Sequence, residues 1–263
     1  MSTTMNPDLE CDAIILVTTA DELQQLQWAA GFLNLPFEEK SDDRVSTFYS
    51  LGVVGLTRVI AVRTRTGSHD FRGSASQAML FKTVTSTKVL IHIGMAFGID
   101  PQRQATGEVL VSTSLFPYDR REISIEGDHV VYRYTDRTVR RNCNQPMVNM
   151  LRRAAEQENF PYRVHFGMLL SGGARIYSRE FRNRLLQWVP TKPGHPIVGG
   201  EMEGVGLLAA SDPNKPCWIV VKGISDFADE EYDIPINPQR PVACRRSALF
   251  VLQTLLTNPT PLD

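Results

Sequence analysis

The sequence predicts an α/β fold, a three-layer αβα sandwich around a mainly parallel, mixed central sheet, and three observations carry that reading. Short apolar runs recur along the chain: DAIILV at 12–17, VLIHI at 89–93, EVLVS at 108–112, VHFGMLL at 164–170 and WIVV at 218–221. Runs without polar alternation belong to strands covered on both faces. Segments with apolar residues at helical spacing separate the runs, which implies strands joined by crossover helices. Small or charged residues follow the runs directly (Thr18-Thr19, Gly94, Ser171, Glu201 and Ser225), and open α/β sheets bind ligands at that edge.

Taken in order, Asp12 to Val17 is a strand, and Asp21 to Leu35 a helix carrying Leu23, Leu26, Ala30 and Leu33 on one face. Val45–Leu51 and Arg58–Thr64 alternate as two strands, with Gly52 and Gly55 turning the chain between them. A polar loop, Gly67 to Gly73, leads into a helix over Ser74 to Thr85. The strand Val89 to Ile93 runs into Gly94-Met95-Ala96-Phe97-Gly98, and Glu108 to Ser112 is the next. Residues 117–141 read as loop and strand, and Asn144 to Asn159 as a helix. Val164 to Leu170 is a strand ending in Ser171-Gly172-Gly173, followed by a helix from Arg179 to Trp188. Val198 to Glu203 leads into a helix from Gly204 to Ser211, and the strand Trp218 to Val221 is followed by Lys222 to Asp226. Pro241 to Leu256 is the last helix. No linker or repeat interrupts the series, so one domain is expected over residues 1–263, with flexible tails at 1–10 and 257–263.

The chain has 263 residues, of which 42% are hydrophobic, with a formal net charge of -1. That composition excludes a disordered, collagenous or disulfide-stapled chain. No apolar run approaches the roughly 18–20 residues of a membrane span, and the first residues lack a secretory pattern, so a cytoplasmic protein without membrane contact is expected. The four cysteines and five histidines are scattered, with no metal-ligand spacing, so no metal and no cofactor are expected. A balanced charge argues against nucleic-acid binding. The balance is uneven in detail: acids gather in 1–43 and 201–233, basic residues in 58–105 and 118–184, and 22 of the 28 cations are arginine.

Three strand ends could carry chemistry. In IHIGMAFG, 91–98, Gly94 and Gly98 would let a ligand reach backbone N–H groups, although glycines required by a tight turn read equally well. In GGEMEG, 199–204, Glu201 and Glu203 fall on one side of an extended stretch and Met202 on the other. A carboxylate accepts from two hydroxyls at once, which suits a ribose diol. One glutamate is then functional and the other structural, while acids favouring a helix N-terminus are the plainer alternative. In VVKGISDFAD, 220–229, Asp226 and Asp229 are three apart on an expected first helical turn with Ser225 as N-cap. Two aspartates and a phenylalanine at the ligand edge exceed what capping requires, which favours a functional Asp226.

EMEGVG followed by VVKGISDFAD, with SGGARI and IGMAFG upstream, resembles the nucleoside phosphorylase and nucleosidase superfamily, in particular the 5'-methylthioadenosine/S-adenosylhomocysteine nucleosidases and their nucleotide-cleaving relatives. The motifs occur in the family's order from Ala13 to Leu256. The resemblance implies a nucleoside phosphorylase-like sheet, a homo-oligomer and a purine N-ribohydrolase. In it Glu203 binds the ribose hydroxyls and Met202 packs on the sugar. Asp226, oriented by Ser225, protonates or hydrogen-bonds N7 of a purine, and Glu22, with Asp21 as the alternative, activates water. Gly94, Met95, Ala96 and Glu201 are expected among the substrate-binding residues, and Ile176 and Tyr177 lie along the base.

Two departures bear on these roles. Phosphorylases of the family bind phosphate with an arginine and a hydroxyl where this chain has His92 and Met95, so water is the expected nucleophile. Arg175 stands where the nucleosidases carry an aromatic residue for adenine. At the substrate's 5' end, where methylthioadenosine enzymes are apolar, the corresponding stretches hold Arg63, Arg65 and Arg72, then Arg120 and Arg121, then Arg240, Arg245 and Arg246. Arginine forks suit phosphate, so Arg72 and Arg245 are expected to bind a 5'-phosphorylated purine nucleotide such as AMP or ATP. The alternatives are a purine nucleoside phosphorylase and a non-catalytic nucleotide-binding module. Housekeeping salvage and nucleotide depletion in defence are both roles found in such a family, and the arginines favour the second.

Overall fold

The structure, a computed structural model, describes residues 6–133, 140–189, 191, 194–230 and 238–258. Its strands are β1 (Ala13–Val17), β2 (Glu38–Asp42), β3 (Ser46–Val54), β4 (Thr57–Arg63), β5 (Val89–Gly98), β6 (Val109–Pro117), β7 (Glu122–Glu126), β8 (His129–Arg133), β9 (Arg141–Asn142), β10 (Val164–Ser171), β11 (Ile197–Glu201) and β12 (Trp218–Asp226). Its helices are α1 (Ala20–Phe32), α2 (Ser74–Val84), α3 (Gln145–Gln157), α4 (Arg179–Trp188) and α5 (Gln239–Thr257).

The mixed α/β fold with a central mixed sheet is the one the sequence predicts, its pairings among the described residues being five parallel and five antiparallel. The strand order is β11-β10-β6-β12-β5-β1-β4-β3-β2, with β9 on β6. β1 pairs in parallel with both β4 and β5, and β12 in parallel with β5. All five residues of β1 are buried, because α helices cover the sheet on both faces. One feature has no counterpart in the sequence pattern: β11 also pairs antiparallel with β5, Gly199 with Gly98 and Gly200 with Phe97. Strands β5, β12, β6, β10 and β11 therefore close into a ring, and β5 and β12 end on the same rim. Gly200 is required there, since a Cβ would stand 2.2 Å from the Phe97 ring.

Several boundaries differ from expectation for local reasons. β5 continues through Gly94 to Gly98 rather than stopping at Ile93. The helix expected over Gly204 to Ser211 is a 3-10 segment, Gly204–Ala210. No helix starts at Ser225: β12 runs on to Asp226, whose Oδ1 accepts from the Ala228 N–H at 2.9 Å and turns the chain. The chain packs from Asn6 onward, earlier than the tail expected over 1–10, because Leu9 in a short 3-10 turn is fully buried. Residues 1–5 and 259–263 of the expected tails lie outside the described residues. The exposed edge strand β2 and the separate β7–β8 hairpin complete the fold. No helix among the described residues is long and apolar enough to cross a membrane.

Helix α5 sets the rim of β5. Ser247 Oγ donates to the Gly94 carbonyl at 3.0 Å and accepts from the Gly94 N–H at 3.2 Å, pinning a residue whose φ is +132°. The helix comes this close because Gly223 on β12 has no side chain: a Cβ there would lie 2.1 Å from the Ala243 carbonyl oxygen.

Candidate active site

The carboxyl ends of β1, β5, β11 and β12 converge on a cavity of about 130 Å³. Glu22, Met95, Ala96, Met202, Glu203 and Asp226 line it, as do Glu201, Ser225, Arg175 and Ile176. Thr18, Thr19, Thr66, Phe97 and Arg240 complete the wall together with Ala174 and Gly200.

Glu22 reaches this wall through its place in α1. Thr19 is the N-cap, its hydroxyl accepting from the Glu22 N–H, while Glu22 Oε2 accepts from the N–H groups of Thr19 at 3.0 Å and Thr18 at 2.6 Å. Glu22 Oε1 accepts from the Met95 N–H at 3.0 Å. A carboxylate has about four lone-pair directions, and three are taken. One remains for a water in the cavity. The opening for this side chain exists because residue 94 is glycine: a Cβ there would lie 1.9 Å from Glu22 Oε1.

Glu201 and Glu203 have different tasks. Glu201 Oε2 accepts from the N–H groups of Glu203 at 2.9 Å and Gly204 at 2.7 Å, so it holds the turn. Glu203 leaves the extended conformation, with φ -118° and ψ -27°, and its Oε1 accepts from the Gly67 N–H at 3.2 Å. Burial pushes the Glu203 carboxyl up to about 7; Lys222 pulls against that, and Glu201 and Glu22 add to it. Lys222, fully buried on β12, stands 3.6 Å from Glu203 and 3.9 Å from Glu22. Burial opposes its charge, but Glu22, Glu203 and Glu201 outweigh burial and keep its pKa above the ordinary lysine value.

Asp226 lies across the cavity. Burial raises its pKa, against the hydrogen bonds from Ser225 and Ala228 and the charge of Arg240. The Ser225 hydroxyl has one proton and two acceptors, Asp226 Oδ2 at 2.6 Å and the Ala96 carbonyl at 3.2 Å. When Asp226 carries a proton it donates to Ser225, which is then free to donate to Ala96, and both acceptors are satisfied. The geometry accommodates a neutral acid. His92 sits beneath, fully buried, and burial followed by the nearby Lys222 charge holds its pKa well below the usual histidine value, so it is neutral.

Four expected site residues lie elsewhere. Gly94 does not line the cavity but makes room for Glu22 beneath it. Tyr177 is 40% exposed outside the cavity, its hydroxyl 3.3 Å from an Arg175 amine. Arg72 lines a neighbouring hollow. Arg245 lines neither: its Nε donates to Gln25 at 2.9 Å and its guanidinium covers Trp28 at 4.1 Å, since that face of α5 packs on α1. Arg246 is likewise engaged with Gly107 and Tyr162, and Arg121 with Tyr132 on the hairpin. The sequence reading missed Lys222 as a site residue, though a lysine inside an otherwise apolar strand is a legible signal. It also placed Arg240 with the 5' end, whereas Arg240 acts on Asp226. No group of three or more side chains set to hold a metal occurs among the described residues.

A ligand cavity on a strand rim, floored by carboxylates around one buried cation, belongs to the class of α/β proteins that bind small molecules at the ends of their strands. The model of the phosphorylase superfamily matches residues 13–256, and the chain belongs to that family. It is 30% identical over 186 residues to a death domain-containing ATP nucleosidase of Amphimedon queenslandica; the match covers 64% of this chain and 33% of that protein, so the chain spans about a third of that relative's length. Among solved structures, the 5'-methylthioadenosine/S-adenosylhomocysteine nucleosidase of S. pneumoniae bound to a transition-state inhibitor is similar at a TM-score of 0.71 and 19% identity, over 95% of this chain and 100% of that one. The futalosine hydrolase of Helicobacter pylori is similar at 0.69 and 17% identity, over 94% and 97%.

Proposed function

We propose that the protein is a purine N-ribohydrolase that cleaves the N-glycosidic bond of an adenine nucleoside or nucleotide, with a 5'-phosphorylated substrate favoured and water as nucleophile. The observation that carries this is the pairing, in one cavity, of an acid whose pKa burial raises and whose hydrogen bonds accommodate a proton, Asp226, with a fixed carboxylate that has one acceptor site left, Glu22. The ATP nucleosidase relative and the nucleosidase fold support the same reading.

Asp226 gives its proton to N7, so the base leaves neutral while the C1'–N9 bond breaks. The sugar gains oxocarbenium character, which Glu203 stabilises through the ribose hydroxyls and Met202 shields from its side of the cavity. The water held by Glu22 adds to C1', and its proton passes to that carboxylate. Lys222, 3.6 Å from Glu203 and 3.9 Å from Glu22, offsets part of the repulsion between the two carboxylates. Ile176, Arg175, Ala96 and Met95 bound the base and sugar. Phosphorolysis has less support: Met95 cannot donate to an oxyanion, and neutral, buried His92 supplies no cation.

The assay is chromatography of adenosine, AMP and ATP digests in phosphate-free buffer. Free adenine is expected, with release falling about 100-fold or more in Asp226→Asn and Glu203→Gln. Release that needs added phosphate would replace this reading with a phosphorylase; tight binding without release would replace it with a binding module. A homo-oligomer located in the cytoplasm, consuming nucleotide rather than salvaging it, fits this proposal; light scattering tests the assembly and cellular ATP levels after expression test the consumption.

A further inference from the structure

The second hollow is the larger, about 590 Å³ against about 130 Å³, and it opens from the first. Thr18, Thr19 and Thr66 line both. Its far wall carries Arg63 from the end of β4, Arg65 two residues on, and Arg72 from the loop before α2. Elsewhere the exposed arginines Arg44, Arg58, Arg103, Arg133, Arg179 and Arg184 sit within salt-bridge distance of carboxylates, whereas Arg120, Arg152, Arg153, Arg163 and Arg175 are dispersed over the surface without such a partner among the described residues. Arg63, Arg65 and Arg72 are gathered together and have no such partner among the described residues either, although the carboxylate of Glu39 lines the same hollow. Their nearest fixed partners are neutral: Arg63 Nε donates to the Thr18 carbonyl at 3.5 Å, and an Arg72 amine to Ser46 Oγ at 3.1 Å. Three guanidiniums gathered about a single carboxylate leave an excess of positive charge, and an anion offsets their mutual repulsion.

The backbone presents Arg72 deliberately. Its φ is +62°, in the left-handed region that disfavours a branched or long side chain, and its carbonyl accepts from the Arg65 N–H at 2.8 Å, which ties the two arginines into one loop. The same loop supplies the Gly67 N–H to Glu203. A ribose whose hydroxyls face Glu203 therefore lies against this loop, and a chain leaving its 5' carbon has the threonine threshold and the arginine hollow next to it.

We propose that this hollow is the subsite for the 5'-polyphosphate of the substrate, held by Arg63, Arg65 and Arg72, and that it sets a preference for nucleoside triphosphate over monophosphate and over nucleoside. This rests on the ribohydrolase reading for its rate measurement but not for its binding measurement. Glu39 faces the same space and opposes the anion.

Base release from ATP, AMP and adenosine is measured for the parent and for Arg63→Ala, Arg65→Ala and Arg72→Ala, with binding of the same three compounds read by calorimetry in the Asp226→Asn background. In the parent, kcat/KM is expected to fall in the order ATP, AMP, adenosine. Each alanine variant should compress the ATP-to-adenosine ratio about tenfold or more, through KM for ATP. Arg72→Lys should recover only part of it, since an ammonium lacks the fork, and Glu39→Gln should lower KM for ATP. Equal use of ATP and adenosine by the parent, or ratios unchanged in all three variants, overturns the proposal. So does acceleration by inorganic phosphate with ribose 1-phosphate as product, because the arginines would then hold the attacking anion. If no compound releases a base, the ribohydrolase reading fails, and the subsite stands or falls on whether ATP binds the parent at least tenfold tighter than adenosine and loses that margin in the variants.

Discussion

At the residue scale the proposed reaction needs two acids in opposite states, and both requirements belong to that proposal. Glu203 must be ionised to accept two hydroxyls, and its pKa is pushed up to about 7, so activity is lost as pH falls through that value. Asp226 must be protonated, and its pKa is raised, so activity is lost as pH rises past it. A bell-shaped kcat/KM profile is expected. Arg240 pulls the Asp226 pKa down, so Arg240→Ala should move the alkaline limb to higher pH and leave the acid limb in place; movement of both limbs together would show that the charges are not separable. Glu203 also costs stability. An unfolded glutamate ionises near 4.5, whereas the native one holds its proton to about 7, so between these values the native state binds more protons and stability falls as pH rises. The loss is at most about 3 kcal/mol. Urea unfolding at pH 5 and pH 8 should show this decline in the parent and a smaller one in Glu203→Gln, where position 203 no longer titrates.

At the element scale two glycines are required for different reasons, and substitution separates them. Gly94→Ala meets the end of a side chain, Glu22, at a φ of +132°. It should displace that carboxylate and abolish turnover. Gly223→Ala meets the Ala243 backbone, which has no rotamer to relieve it, so β12 and α5 must part. It should lower Tm by more than Gly94→Ala, a comparison differential scanning fluorimetry can make. Much of this was legible in the sequence because local pattern determines it: β1, β5, β10 and β12 read as buried strands, and Glu22, Glu203 and Asp226 follow strand ends. The pairing of Gly199 with Gly98 was not, since two residues a hundred positions apart leave no periodic signal. The fate of Arg245 was not legible either, because it depends on which face of α5 meets Gln25 and Trp28. The polar edge strand β2 was unreadable as a strand for a third reason: it buries nothing that alternation could report.

At the scale of the whole molecule, a formal net charge of -1 means the protein offers no long-range attraction to an anion. On the proposed subsite, preference for a nucleotide arises within the hollow, where three arginines face one glutamate. The acids that cancel them overall lie in other places: Glu22, Glu201 and Glu203 around Lys222, and a scatter of surface pairs. Short-range contacts in an exposed hollow are screened as the Debye length shrinks from about 10 Å at 0.1 M salt to about 3 Å at 1 M. Glu22 and Glu203 in the neighbouring cavity are buried, and buried charges are screened much less. Raising sodium chloride over that range should therefore increase KM for ATP roughly tenfold while KM for adenosine stays within about twofold. In the Arg72→Ala variant the salt dependence for ATP should be shallower, because one of the screened contacts is already gone. A KM for adenosine that climbs in parallel with that for ATP would mean that salt acts on the carboxylate cluster instead, and would remove the hollow from the account of specificity.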